Sequence, residues 1–387
     1  MEETSSYTLA RSSAPLGEPV DASFVPWREA YGPKEDALRA ALWAAKAELD
    51  SMDEGTYYRT RDSLFPLDAS GPQGSNDFSN RAGHKLSQCM DHGNLWGYLK
   101  TLNSKNLFFV DVCGGPGAFT QALLTMAKRH GMKCRGAGMT LFDAHTRAPH
   151  GWYPELLRSK RFEATFGLDG TGDIFRTSNI HALASIVARA PVSLVVADGG
   201  FDVPFGVVNF QEVLSSRIVF SQWLAAVMVL KPKGCFVLKL FDVFSPFSQS
   251  LLYLSLHCFD TVRIVKPKHS RVVNSERYLV ASGFIPLSPR WEEHLLNLHA
   301  KGFANDTVPL SLLPHSAVDA TFTSSLRESV EAIARAQIGA IRKIVERAKT
   351  QPPPRFPARH VTAAMGAKPP VETPGDDEQQ QSEDELP

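Results

Sequence analysis

The stretch Phe108–Leu124, FFVDVCGGPGAFTQALL, decides the fold class of this chain. It begins with apolar residues typical of a buried strand and ends with the apolar spacing of a helix. The glycine-rich segment 114–117 between them lets the backbone approach a ligand closely, beside the free amides of a helix N-terminus. The stretch therefore predicts a strand, a turn and a helix. The turn either binds a nucleotide-like cofactor or is an ordinary tight connection.

The same turn disfavours a dinucleotide-dependent dehydrogenase. That class prefers the pattern GxGxxG, which Pro116 interrupts, and an acidic residue after the second strand. The second strand ends here in Gly138, Met139 and Thr140. Asp173, in GTGDIF, follows the third predicted strand. It is either a ligand for an adenine edge or a ribose hydroxyl, or a solvated loop residue.

From Leu107 onward, short apolar strands alternate with helical stretches, which is typical of a parallel sheet covered by helices on both faces. We therefore predict a Rossmann-like α/β fold with a seven-stranded, mostly parallel sheet. The predicted strands are Leu107–Val112, Cys134–Met139, Phe162–Phe166, Ser193–Asp198, Cys235–Leu240, Thr261–Val265 and Tyr278–Ser282, with a helix at Ser215–Leu230. Ligands of such open sheets bind beyond the carboxyl ends of the strands, so the loops there are expected to carry the chemistry.

The chain divides by composition into four predicted regions. These are a flexible N-terminal segment (1–30), a main domain (31–300), a C-terminal helical extension (301–349) and a disordered, Pro-rich and acidic tail (350–387). Within the main domain, Pro33–Leu49 has helical spacing and Pro66–Asp77 is rich in turn formers. The extension is expected to pack on the domain through an apolar stripe that comprises Leu326, Val330, Ile333, Ile338, Ile341 and Ile344.

Charge, apolar runs and cysteine spacing limit the partners, the location and the kinds of site that this chain can have. Lys plus Arg and Asp plus Glu both number 41, so any RNA site must be a local basic patch. The longest apolar run, Ile218–Leu230, is too short to cross a bilayer, and the N-terminus lacks the apolar core of a secretory signal. An intracellular protein is therefore expected. The five cysteines form no CxxC pair, and no cluster has the spacing of metal ligands.

Four polar residues stand out, although each alone has an ordinary structural explanation. Asp198 ends the apolar run SLVVAD, where it is either a catalytic carboxylate or a turn cap. Lys239 lies inside CFVLKLF, where a buried ammonium needs a carboxylate partner unless the side chain extends to solvent. Glu276, in RVVNSERYLV, and Lys85, in NRAGHKL, would each otherwise be surface residues.

Together these four residues suit the transfer of a sulfonium methyl group to a ribose 2'-hydroxyl. The hydroxyl must lose its proton while it is held in line with the methyl carbon. A lysine amine can accept that proton when its surroundings favour the neutral form. Lys85 would supply the neighbouring positive charge, while Asp198 and Glu276 orient the two lysines. Lys239 is thus the candidate base, and no metal is required.

Eight short segments occur in the order of one known family. They are NRAGHK, DVCGGPGAF, GMTL, GDI, ADGGFD, NFQE, KLFDVFSPFS and SRVVNSERY. With them, the span from Lys46 to Gly283 resembles the FtsJ/RrmJ-like 2'-O-methyltransferases, most closely the eukaryotic cap 1 type in its compact, single-domain kinetoplastid form. The cofactor turn departs from the AGPGGF of many relatives, and the segment between Asp198 and Asn209 is one residue longer.

This resemblance implies an S-adenosylmethionine-dependent methyltransferase fold, m7G-capped RNA as the partner and a nuclear location. It places the family's catalytic Lys-Asp-Lys-Glu tetrad on Lys85, Asp198, Lys239 and Glu276. It assigns S-adenosylmethionine binding to Asn80, Cys113, Gly114, Gly115, Pro116, Gly117, Ala118, Phe119, Asp173 and Ile174. It assigns substrate binding to Lys46, Asp50, Arg59, Asn209 and Glu276, the first three from the segments KAELD and RTR.

Several alternatives stay open at the level of sequence. A ribosomal or transfer RNA 2'-O-methyltransferase would use the same tetrad, although KAELD and RTR favour the cap. Methylation of the second transcribed nucleotide, giving cap 2, would share the same motifs. A noncatalytic RNA-binding protein could retain the fold, but the intact tetrad disfavours this reading. The acidic tail could bind protein partners.

Overall fold

A sheet of eight strands forms the centre of the structure, which is a computed structural model. It describes residues 3–11, 14–33, 35–67, 78, 80–103, 105–142, 151–201, 203, 206–301 and 307–350. Of the predicted loop Pro66–Asp77, only Pro66 and Leu67 are among them, and the predicted tail lies outside them except for Thr350. The described residues up to Thr350 belong to one compact unit.

The strands are numbered in chain order. They are β1 (Ser5–Thr8), β2 (Phe24–Pro26), β3 (Asn106–Val112), β4 (Lys133–Met139), β5 (Phe162–Thr165), β6 (Leu194–Ala197), β7 (Cys235–Leu240), β8 (Phe259–Lys266), β9 (Arg277–Phe284) and β10 (Thr307–Pro309). The large sheet has the order β1-β8-β9-β7-β6-β3-β4-β5, and β10 pairs with β2 in a small antiparallel sheet. Strands β7, β6, β3, β4 and β5 run parallel, whereas β9 is antiparallel to both of its neighbours.

The helices cover both faces of the sheet. They are α1 (Ala37–Leu49), α2 (Glu54–Leu64), α3 (Arg81–His92), α4 (Leu95–Asn103), α5 (Ala118–Arg129), α6 (Pro154–Leu157), α7 (Thr177–Val187), α8 (Gln211–Leu214), α9 (Ser216–Val229), α10 (Pro246–Cys258), α11 (Pro289–Lys301) and α12 (Ala320–Thr350). Side chains alternate across each strand, so that Phe109 packs with α3, α4 and α5 while Val110 packs with α7, α9 and α10. The predicted α/β fold with helices on both faces is confirmed.

The predicted strand count of seven is wrong, because β1 is an eighth strand of the sheet. Its residues, Ser5–Thr8 (SSYT), have no apolar run, and the strand forms because it pairs antiparallel with the edge of β8, Ser5 opposite Lys266. The neighbouring Leu9 is 3% exposed. The segment 1–30, which the sequence describes as flexible, therefore contributes a strand to the sheet and a side chain to the core.

The C-terminal helix packs on the domain, as its apolar stripe predicts. All six stripe residues are buried in α12, which contacts α1 and α2. The boundaries of the predicted regions otherwise stay predictions. Among the described residues, one helical run, Val208–Val229, is long and apolar enough to span a membrane, yet 78% of its most apolar window is buried inside the protein.

The strand order places a crevice beside β3. From β3 the chain proceeds to β4 and β5 on one side, and β6 and β7 lie on the other. Such a switch point leaves a cleft at the carboxyl ends of the strands. The turn 113–117 after β3 and Asp198 after β6 lie at this edge, which is where the sequence predicts the chemistry.

Candidate active site

The turn after β3 is built so closely that none of its three glycines has room for a Cβ atom. A Cβ atom on Gly114 would lie 2.2 Å from the carboxyl carbon of Asp111. Gly117 caps α5 with φ +114°, a left-handed conformation that favours glycine, and a Cβ there would lie 2.2 Å from Leu156. Cys113 also has a positive φ, 54°. The turn thus presents backbone rather than side chains to the cleft.

Asp111 lies beneath this turn and was not predicted as a site residue. It is fully buried, and burial raises the pKa of its carboxyl group to about 7. Its Oδ2 accepts a 2.7 Å hydrogen bond from the Thr120 hydroxyl, while its Oδ1 has no hydrogen-bond partner among the described residues. An acidic residue inside the apolar run FFVDV is the sequence signal that could have identified it.

Thr140 connects the cofactor turn to the loop that carries Asp173. Its hydroxyl accepts a 3.1 Å hydrogen bond from the Gly115 amide, and Gly172 packs against its carbonyl. The Asp173 carboxylate accepts a hydrogen bond from the Phe175 amide at 2.9 Å. The loops after β3, β4 and β5 therefore meet at one edge of the sheet.

The other predicted cofactor residues lie around the same turn. Asn80 caps α3 by accepting a 2.9 Å hydrogen bond from the Ala82 amide, and it borders a groove together with Ala118. Phe119 and Ile174 are buried. Pro116 is exposed at the tip of the turn.

The four catalytic candidates form two pairs. On β7, the Lys239 ammonium donates a 2.6 Å hydrogen bond to the carbonyl of Asp198 and lies 3.4 Å from its carboxylate. On α3, the Lys85 ammonium lies 2.8 and 2.9 Å from the two carboxylate oxygens of Glu276. The pairing of lysines with carboxylates, expected from sequence, is therefore present in the structure.

Tyr278 joins the two pairs, and sequence reasoning missed it. Its hydroxyl lies 2.9 Å from Oδ1 of Asp198 and 3.1 Å from Oε1 of Glu276, so it can donate to either carboxylate. Burial, then the charges of these carboxylates, raises the pKa of Tyr278 well above its usual value, which keeps the phenol a donor. Glu276 immediately precedes β9, and two-residue alternation at the start of this strand places residues 276 and 278 on one side. This spacing is the signal that could have revealed Tyr278.

The tetrad is enclosed but reachable. The four side chains keep between 13% and 21% of their surface exposed. Burial raises the pKa of Glu276, but the ammonium groups of Lys85, Lys239 and Lys266 outweigh burial and lower the pKa overall. Glu276 is therefore an ionised partner for Lys85 at neutral pH.

A pocket of about 350 Å³ lies beside the tetrad. Four of the five predicted substrate residues line it: Lys46, Asp50, Asn209 and Glu276. The fifth, Arg59, does not line it, because its guanidinium bonds to the Thr56 hydroxyl of its own helix at 3.0 Å. Arg59 differs from the other four because it lies on the exposed surface of its helix.

A buried network fixes Lys46 in the pocket. Its ammonium donates to Asp242 at 3.0 Å and to the Ser275 hydroxyl at 2.8 Å, and Arg277 holds the same aspartate at 2.6 Å. Burial raises the pKa of Asp242, but Lys46 and Arg277 outweigh it and lower the pKa overall. Asp242 and Arg277 are functional neighbours that the sequence did not identify.

Aromatic packing fixes the opposite wall of the pocket, where Asn209 lies. Phe210 packs edge-on against Trp27, with ring centroids 4.9 Å apart, and contacts Trp43 at 5.1 Å. The Tyr31 hydroxyl donates to the Asn209 carbonyl at 3.4 Å. Residues before and within α1 therefore shape a wall contributed by the segment 206–211.

No group of three or more His, Cys, Asp or Glu side chains in the described part of the chain could hold a metal ion. The five cysteines are free thiols. The arrangement is thus one of paired lysines and carboxylates beside a glycine-rich turn.

Comparison with protein families decides the class of this protein. The model of the FtsJ-like methyltransferases matches residues 78–284, which is more than half of the chain. The chain belongs to the FtsJ-like methyltransferase family. This family assignment confirms the resemblance inferred from the eight segments, and the matched span contains all four tetrad residues.

Curated FtsJ-like relatives in trypanosomes match most of the chain. A protein of Trypanosoma cruzi is 46% identical over 354 residues, which cover 89% of this chain and 96% of the relative. One of Trypanosoma brucei brucei is 48% identical, over 85% and 89% of the two chains. Both are named cap-specific mRNA (nucleoside-2'-O-)-methyltransferase 1. A zebrafish (Danio rerio) protein of that name is 36% identical, and the match covers 34% of its length.

Among solved structures, a putative ribosomal RNA methyltransferase from Plasmodium falciparum is similar to this chain. The identity is 19% and the TM-score 0.39, over 54% of this chain and 100% of that one. A TM-score this low carries no argument about function.

Proposed function

We propose that this protein transfers a methyl group from S-adenosylmethionine to the ribose 2'-oxygen of the first transcribed nucleotide of m7G-capped mRNA. The observation that carries the proposal is the contact of two lysine–carboxylate pairs through Tyr278, directly beside the Lys46 pocket. The names of the trypanosome relatives support the cap as substrate.

The cofactor turn fits S-adenosylmethionine. The glycines of the turn place no side chain over its backbone, so a ligand could approach the free amides at the start of α5, which Gly117 caps. Asn80 and Asp173 flank the turn and could accept hydrogen bonds from the amino acid and nucleoside ends. When bound, S-adenosylmethionine supplies an electrophilic methyl carbon on a positively charged sulfur.

Lys239 is positioned to act as the general base. After the Lys239 ammonium has released a proton to solvent, its neutral amine would take the proton of the 2'-hydroxyl as that oxygen attacks. Asp198 holds the amine in place through its carbonyl and carboxylate. Lys85, aligned by Glu276, would stabilise the negative charge that develops on the ribose oxygen. Such a base contributes roughly 10²–10⁴-fold to the rate.

The 350 Å³ pocket is the proposed binding site for the cap. The Lys46 ammonium complements phosphate charge, and the Asp50 carboxylate complements the positive charge of an N7-methylated guanine. Tyr57 and Phe241 line the same pocket and offer aromatic faces for the base. Arg59, outside the pocket, is a candidate for contact with the triphosphate.

The test uses purified full-length protein with methyl-labelled S-adenosylmethionine. Short RNAs of one sequence carry an m7G cap, an unmethylated G cap or a 5' triphosphate, and digestion locates the labelled nucleotide. We expect label on the first nucleotide of the m7G-capped RNA. Label on the second nucleotide would move the assignment to cap 2, and preferential labelling of uncapped structured RNA would contradict the cap assignment. Cofactor binding without label on any RNA would favour a noncatalytic role.

Nuclear location is proposed on the same grounds, because cap methylation belongs to mRNA processing. A fluorescent fusion of the full chain should accumulate in the nucleus. Protein partners of the acidic tail are likewise a proposal, and the tail lies outside the described residues.

A further inference from the structure

Lys266, at the end of β8, is a buried lysine outside the tetrad. It is 7% exposed, and no described carboxylate forms an ion pair with it. Instead its ammonium donates short hydrogen bonds to two backbone carbonyls, those of Asn274 and Glu276, both at 2.6 Å. A buried lysine is costly unless such partners compensate it, so this arrangement requires an explanation.

Two buried cations hold three consecutive carbonyls of the segment 274–276. Lys266 holds the first and the third, and Nε of Arg277 donates to the Ser275 carbonyl at 3.0 Å. The Ser270 hydroxyl, which donates to the Pro267 carbonyl at 2.8 Å, also lies 3.2 Å from the carbonyl of Glu276. The backbone of this segment is therefore fixed from behind at every residue.

The side chains of residues 274–276 contribute to two neighbouring sites, the cap pocket and the tetrad. Asn274, Ser275 and Glu276 line the cap pocket, and the Ser275 hydroxyl binds Lys46. The Glu276 carboxylate also pairs with Lys85 in the tetrad. A displacement of this backbone would thus move the cap pocket and the catalytic pair together.

We propose that Lys266 is a positioning residue, which fixes the cap pocket and the Lys85–Glu276 pair in their positions relative to Lys239. The proposal rests on the proposed function, because it assigns Lys266 to the alignment of that reaction. Lys266 lines neither the pocket nor the tetrad and acts through the backbone of residues 274–276.

The protonation of Lys266 agrees with this role. Burial, followed by the charges of Arg277 and Lys85, lowers the pKa of Lys266 to about 7, against the opposing effect of Glu276 and Asp242. A neutral amine keeps two N–H donors, which equals the number of carbonyls it binds. The carbonyl contacts therefore survive in either protonation state.

The test compares the wild type with Lys266→Met, which preserves length and removes the donors. Ser255→Ala is the matched control, because it removes a buried partner of Trp223 Nε1, 2.9 Å away on α9, remote from the tetrad. Each protein is assayed well below its melting temperature for S-adenosylmethionine affinity, for kcat and for the preference for m7G-capped over G-capped RNA.

We expect Lys266→Met to lose about 10- to 100-fold in kcat and most of the cap preference, with cofactor affinity within about twofold of wild type. Ser255→Ala should have a lower melting temperature than the wild type and keep its kcat and its cap preference. Normal kcat and cap preference in Lys266→Met, or equal losses in the control, would overturn the proposal. If Lys266→Met does not fold, Lys266→Gln replaces it, because its shorter side chain cannot hold both carbonyls as the lysine does. It should also lose kcat and cap preference, and wild-type values of both would overturn the proposal. A wild type without turnover would overturn the proposed function itself.

Discussion

Lys239 is the residue that we propose as the proton acceptor in the cleft. Its amine is only partly exposed and is held by the carbonyl of Asp198 at 2.6 Å, so its direction is fixed before substrate arrives. The lysine lies within an otherwise apolar strand. Its position thus reflects chemistry rather than packing.

The Lys239→Ala variant should bind S-adenosylmethionine with near-normal affinity and lose roughly 10²–10⁴-fold in turnover, because it removes the base and leaves the turn 113–117 intact. Calorimetry for the cofactor and a methyl-transfer assay measure the two properties. Lys233→Ala, at an exposed lysine paired with Asp260, is the control and should be fully active. Near-normal turnover in Lys239→Ala would refute the assignment of the base.

Tyr278→Phe isolates the hydroxyl that joins the two pairs. We expect kcat to fall about tenfold and the free energy of unfolding to fall by roughly 1–3 kcal/mol, since two carboxylates lose a buried donor. Tyr253→Phe, at a buried tyrosine of α10, should leave kcat unchanged. Equal kcat values in the two variants would show that the hydroxyl does not organise the tetrad.

Asp111 predicts a dependence of stability on pH. Its folded pKa of about 7 is above the unfolded value of 3.8, so the native state binds more protons between these values and stability falls as pH rises from about 4 to 7. Asp111→Asn should remove this decline, which amounts to on the order of 4 kcal/mol. Urea unfolding of both proteins at pH 4 to 7 measures it. A pH-independent difference between the two proteins would contradict the raised pKa of this buried carboxyl group.

At the scale of elements, the strand–turn–helix unit β3–α5 carries the proposed cofactor site. The turn has no room for a side chain at Gly117, where the backbone is left-handed and Leu156 occupies the space that a Cβ atom would need. The geometry of this turn is therefore sensitive to a single methyl group.

Gly117→Ala should weaken S-adenosylmethionine binding at least tenfold, because the added Cβ strains the backbone and displaces Leu156. Gly339→Ala in α12, where a Cβ meets nothing within 4 Å, should stabilise the helix slightly and keep cofactor affinity. Calorimetric titration compares the two. Unchanged affinity in Gly117→Ala would exclude this turn from the cofactor site.

The elements that sequence reasoning predicted are those whose apolar runs specify them locally. The seven predicted strands are buried runs, whereas β1 is polar and depends on pairing with β8, which no local pattern encodes. The proximity of the four tetrad candidates could be predicted because they lie in recognisable segments, whereas their catalytic role stays a prediction. Asp111 and Tyr278 were missed because each lies in a strand whose apolar neighbours suggest packing alone.

At the scale of the whole molecule, the proposed cap pocket combines distant parts of the chain. Its lining comes from α1, from Tyr57 of α2, from the segment 206–211, from Phe241 after β7, from the segment 273–276 and from Gln337 of α12. The charge composition of the chain gives no sign of this pocket, because acidic and basic residues are equal in number. Within the pocket, Lys46 is likewise paired with Asp242. Such a site follows from tertiary contacts and could be predicted from sequence only through family resemblance.

The most direct test of 2'-O-methylation at the first nucleotide uses two m7G-capped RNAs of one sequence. One carries a free 2'-hydroxyl on the first transcribed nucleotide, and the other carries a 2'-O-methyl group there. With labelled S-adenosylmethionine, the wild-type protein should label the first RNA and leave the second unlabelled. Equal labelling of both RNAs would place the methyl group elsewhere and contradict the proposed reaction.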